Sequence, residues 1–129
     1  MDKESIEVFI NSLLDSKSPV VFDFTGIIGI SGKRRGCVYY TCPKAMLTHI
    51  LTSMGERDVS SAHLCDVVGE IANTIAGNAR KAFGADFLIS VPVVVQGEPE
   101  RIHMPDNTRS VVIPTRWKNY QSIIVVALE

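Results

Sequence analysis

Glu70 and Asn73 stand three residues apart in the stretch Gly69-Glu-Ile-Ala-Asn-Thr-Ile-Ala-Gly-Asn-Ala79. On a helix that spacing brings a carboxylate and a carboxamide out side by side, so the two can enter the same pocket of a partner. Asp66 and Gly77 continue the pair into one row at spacings of four, three and four. Gly77 is the informative member, because an outward-facing Gly costs a helix roughly 1 kcal/mol relative to Ala. A missing side chain there lets another surface approach the backbone closely. Asp66 and Gly77 are therefore candidate partner-binding residues, and Glu70 and Asn73 are the candidates for chemistry.

The rest of the composition narrows the class of chemistry. The net charge is −1 with acidic and basic residues interspersed, which favours neither a nucleic-acid-binding surface nor a membrane-surface patch. The one basic run, Lys33-Arg34-Arg35, lies between Gly32 and Gly36 and is expected to be a solvated turn. Cys37, Cys42 and Cys65 are odd in number and show no C-x-x-C spacing, so reduced thiols are expected and neither a disulfide framework nor a zinc site follows. His49, His63 and His103 lie far apart and lack ligand spacing. Asp2, Lys3 and Glu4 precede an amphipathic stretch rather than an apolar one, so no secretory signal is expected. No apolar run reaches the ~20 residues that cross a bilayer. A cytoplasmic protein with no metal or cofactor of its own is expected.

The chain has 129 residues, 46% of them hydrophobic, enough for one core, so a single domain over residues 1–129 is expected. Ile6, Phe9, Ile10, Leu13 and Leu14 form the stripe of an amphipathic helix over about 4–15. The β-branched and aromatic runs on either side of the basic turn predict a hairpin over about 20–42. Pro43 starts a helix over about 43–54, which Gly55 ends. Asp58, Ser60 or Ser61 caps a longer helix over about 61–83, stopped at Gly84 in a left-handed conformation. Its stripe Leu64, Val68, Ile71, Ile75, Ala79 and Ala82 is expected to face a sheet. The runs "DFLISVPVVVQG", "RIHM", "SVVI" and "SIIVVALE" predict strands over about 86–128, with Pro92 marking an edge or a bulge. Helices and strands are segregated rather than alternating. That order predicts an α+β fold with helices on one face of a mostly antiparallel sheet.

Glu70-Ile-Ala-Asn73-Thr-Ile-Ala-Gly77-Asn78 resembles the E-x-x-N-x-x-x-G-N signature of the CheC and CheX chemotaxis phosphatases, which act on phosphorylated receivers of two-component systems. The similarity reaches further, since "DFTGIIGISG", the strand after it and the Pro-started helix look like that family's first hairpin and helix, and "ISVPVVVQGE" looks like the strand after its signature helix. It spans about Val20 to Glu129. The resemblance implies that Glu70 docks by a salt bridge to a lysine of the receiver and that Asn73 orients the water that attacks the aspartyl phosphate. A carboxamide suits that task, because it donates and accepts at once and needs no shifted pKa. Phosphoryl transfer asks mainly for positioning and charge neutralisation, and Mg2+ would come bound to the receiver.

Glu70 is the only Glu in the chain with Asn three positions on, which makes the pattern CheX-like, with one site per chain. The resemblance further implies a homodimer joined through the sheets. The alternative expectation is a non-catalytic receiver-binding or flagellar-switch-like adaptor on the same fold, since fold does not imply function.

Overall fold

The computed structural model describes residues 21–84, 86–97 and 109–128. The expected helix over 4–15 and the run "RIHM" lie outside those residues. Eight elements follow in chain order: β1 (Phe24–Gly32), β2 (Gly36–Cys42), α1 (Lys44–Ser53), α2 (Ser61–Phe83), β3 (Phe87–Ile89), β4 (Val93–Gln96), β5 (Arg109–Trp117) and β6 (Tyr120–Leu128). The strands form a six-stranded sheet in the order β3-β1-β2-β6-β5, with β4 also paired to β1. Every pairing is antiparallel, and α1 and α2 pack on one face of the sheet. The fold is α+β of the expected kind.

Local chemistry accounts for the helix ends. Pro43 opens α1, and the Asp23 carboxylate accepts the Lys44 backbone N–H at 2.8 Å, capping a helix whose own N-cap residue has no side-chain donor or acceptor. At α2 the Ser60 hydroxyl accepts the His63 N–H at 3.3 Å, and Asp58 accepts the Ser60 N–H at 3.0 Å. Hydrogen bonds from the Ser60 side chain and backbone N–H hold the Asp58 carboxyl below the usual carboxylate range. Gly84 closes α2 at φ 105° and ψ 174°. Its φ is positive, as expected, but its ψ is extended rather than left-handed helical, a combination open only to Gly.

The core differs from the expected stripe. Leu64, Val68, Ala72 and Ala76 are buried on α2, while Ile71 and Ile75 are only partly covered and Ala82 is exposed. The reason is a close approach of helix to sheet. A Cβ on Gly26 of β1 would stand 2.9 Å from the Ala72 Cβ and 3.1 Å from the Val68 carbonyl oxygen. Only small residues fit along that contact line, so the two isoleucines splay to its flank. Phe24, Ile28, Tyr40, Cys42, Met46, Leu47 and Leu51 complete this core. Burial pushes the Cys42 thiol and the Tyr40 phenol each up to about 12.

The C-terminal strands differ as well. The run "DFLISVPVVVQG" is two strands, not one. Ile89 pairs with Ile30 and Val93 with Ile27, so four steps on this strand oppose three on β1, and the extra residue falls in Ser90–Pro92. Ser90 bridges the irregularity by donating its N–H to the Gly29 carbonyl at 3.0 Å and accepting the Gly29 N–H on its hydroxyl at 2.8 Å. Pro92 thus sits both at an edge and at a bulge. The run "SVVI" extends through Pro114 to Trp117, which an edge strand permits because a proline there has no inward N–H to supply. Lys118, at φ 53°, helps turn the chain into β6.

Candidate functional site

The outward face of α2 holds Asp66, Glu70 and Asn73, all exposed, and Gly77, partly covered. The periodicity that sends Leu64, Val68, Ala72 and Ala76 into the core turns this row away from it. Glu70 and Asn73 lie one turn apart. Neither side chain has a hydrogen-bond partner among the described residues, so both are available to an incoming surface. The Thr74 hydroxyl donates to the Glu70 backbone carbonyl at 2.9 Å, which leaves the Glu70 carboxylate unengaged.

The two glycines of the stretch have different explanations. A Cβ on Gly69 would meet Val94 at 3.3 Å and Pro92 at 3.7 Å, so that glycine admits β4 against the helix. A Cβ on Gly77 would meet nothing within 4 Å. Packing among the described residues therefore gives no reason for Gly77. Sequence periodicity did not reveal the support that β4 provides beneath Gly69, because it depends on the bulge that pulls Pro92 and Val94 under the helix.

Among the described residues no group of three His, Cys, Asp or Glu could hold a metal ion, and no described helix is long and apolar enough to cross a membrane. An open groove of about 690 Å3 lined by Asp23, Lys44, Thr48, His49 and Tyr120 lies along α1. His49 there is built into an aromatic cluster: its Nδ1 is 3.2 Å from the Tyr120 hydroxyl, and its ring meets Trp117 edge to face at 5.1 Å. The groove and the α2 row share no residue.

Comparison with known proteins bears on the family and the fold. The family model described as chemotaxis phosphatase CheX matches residues 24–116, a span that includes the whole α2 row. No curated protein matches the chain. Among solved structures, chemotaxis protein CheX from Vibrio vulnificus is 26% identical, with 96% of this chain and 93% of that one covered and a TM-score of 0.74. A chemotactic CheC-like protein from Shewanella oneidensis MR-1 shares the fold at 24% identity, with 98% and 92% covered and a TM-score of 0.76. The CheX of a CheX–CheY–BeF3–Mg2+ complex from Borrelia burgdorferi shares it at 16% identity, with 98% and 94% covered and a TM-score of 0.67. With the family model matched over most of its length, the chain belongs to the CheX family of chemotaxis phosphatases.

Proposed function

We propose that this chain dephosphorylates the aspartyl phosphate of a CheY-like receiver in the cytoplasm, with Glu70 and Asn73 entering the receiver's active site together. The observation that carries the reading is the exposed Glu70–Asn73 pair, unpartnered among the described residues, beside an open Gly77 on α2. Glu70 anchors the docked complex on a lysine of the receiver. Asn73 holds a water in line with the phosphorus. The water oxygen bonds to phosphorus as the bond to the aspartate oxygen breaks, releasing inorganic phosphate and the free carboxylate. The receiver's Mg2+ supplies charge neutralisation, so this chain contributes position alone. Asp66 and Gly77 lie in the contact surface, one at each end of the pair.

The test follows loss of phosphate from a receiver charged with acetyl phosphate and Mg2+. Asn73→Ala is expected to lower kcat on the order of 10²-fold with receiver binding largely kept, because a water-orienting amide acts mainly in the transition state. Glu70→Ala is expected to weaken binding as well. Wild-type rates in both variants would reduce the row to a solvated face, and receiver binding without hydrolysis by the wild type would favour the adaptor alternative.

We also read the protein as a homodimer joined through its sheet, motivated by the edges at β3–β4 and β5 and by exposed Val93, Val111 and Ile113. Light scattering at tens of micromolar, the order of concentration that populates a weak interface, should give twice the chain mass. A monomer mass would remove this part of the reading.

A further inference from the structure

The fold gathers positive charge at one end of the molecule from parts of the chain far apart in sequence. Lys33, Arg34 and Arg35 form the β1–β2 turn, Arg80 and Lys81 end α2, and Arg109 begins β5. These are six of the thirteen Lys and Arg residues in the chain. The pairings bring them together. Gly32, at the start of the turn, pairs with Phe87, whose carbonyl accepts the Arg80 Nε–H at 2.8 Å. Gly36, at the end of the turn, and Arg109 both pair with Leu128. Asp86, whose carbonyl accepts the Lys33 backbone N–H at 3.2 Å, is the acidic residue described at this end.

Two of these cations have local reasons to be there. Arg80 and Lys81 complement the negative end of the helix dipole, and Arg80 also ties α2 to β3. The turn residues have neither reason. Lys33, Arg34 and Arg35 are exposed, and their side chains have no partner among the described residues. Three adjacent like charges at a hairpin tip repel one another.

The position of this end relative to the α2 row supplies the reason. At 100° per residue, Arg80 and Lys81 fall roughly 50° to either side of the row through Asp66, Glu70, Asn73 and Gly77. Charge along this surface therefore inverts, from acidic at Asp66 and Glu70 to basic at Arg80 and Lys81. Asn73 and Lys81 are separated by about 12 Å at 1.5 Å of rise per residue. A phosphoaspartate site that binds Mg2+ is itself built of carboxylates and phosphate oxygens, so the partner face presented to Asn73 carries acidic groups around its Mg2+ and lysine.

Resting on the phosphatase reading above, we propose that the β1–β2 turn and the last turn of α2 form a basic latch for acidic side chains on the receiver beside its phosphorylation site. The latch steers the receiver onto the row and favours receivers that carry that acidic rim. Single exposed ion pairs contribute little affinity. A concerted field of this kind acts mainly on the rate of encounter, and does so strongly only at low salt.

The experiment compares two double charge reversals of equal size, Arg34→Glu/Arg35→Glu at the latch and Lys44→Glu/Lys118→Glu at the opposite end of the sheet. Circular dichroism checks that both fold. Dephosphorylation of receivers charged with acetyl phosphate and Mg2+ is followed at ~50 mM and ~0.5 M salt, where screening lengths differ about threefold. The latch variant is expected to raise KM for the receiver about tenfold at the lower salt with kcat unchanged, and the difference should shrink below about twofold at the higher salt. The control should stay within about twofold of wild type throughout. An unchanged KM in the latch variant, an equal rise in the control, or a fall in kcat in place of a rise in KM would overturn the latch while leaving the phosphatase reading standing. Wild-type protein inactive on every receiver would overturn both.

Discussion

The two faces of α2 both use small residues, and for opposite reasons. On the sheet side, Ala72 is small because Gly26 of β1 lies directly against it, with no room for a larger atom. On the outer side, a Cβ on Gly77 would meet none of the described residues within 4 Å. Gly69 precedes both in sequence and belongs to the first regime, since Val94 and Pro92 fill the space beside it. A small residue on a helix thus reports a close neighbour at Ala72 and Gly69, whereas at Gly77 none stands among the described residues, the space that the proposed receiver contact would fill.

Substitutions on the two faces can break that comparison. The largest effect expected is on activity alone: Asn73→Ala should cost the order of 10²-fold in turnover and leave the melting temperature within the small range typical of surface changes. Its mirror image is Ala72→Leu, which drives three further carbons into the contact with Gly26 and should destabilise the fold by about 1–3 kcal/mol. Thermal unfolding would read that as a fall of several degrees, while the outer row of any molecule still folded keeps its activity. If Ala72→Leu were neutral in stability, the close approach of α2 to β1 would not be what selects small residues there.

The smallest effect sharpens the comparison most. Gly77→Ala has open space and an ordinary helical backbone, so it should stabilise the protein by about 0.5–1 kcal/mol. Gly69→Ala must push Val94 aside and should yield no such gain. Denaturant unfolding of the pair would show the difference directly. Gly77→Leu adds a further arm, since it should share most of the gain in stability and yet raise the apparent Kd for the receiver. A Gly77→Ala variant less stable than wild type would mean that something within the chain already occupies this position.

Much of this was legible in the sequence, because helix periodicity is a local property. The spacing of Asp66, Glu70, Asn73 and Gly77 places them on one face whatever the helix packs against, and the segregation of helical from strand patterns is enough to indicate an α+β fold. Ser60, Gly84 and Pro43 act at their helix ends through their own backbone and side-chain chemistry, which requires no distant partner. Tertiary structure decided the rest. Whether Ile71 or Ala72 lies at the centre of the core depends on how closely α2 approaches β1, and that distance is set by Gly26, far away in the chain. The break at Ser90–Pro92 appears only once both β3 and β4 must pair with the same strand. The basic end exists because β1, β3, β5 and β6 bring the hairpin turn, the end of α2 and Arg109 to one edge of the molecule. Pairing between distant segments carries no periodic signal of its own, and only the folded sheet establishes it.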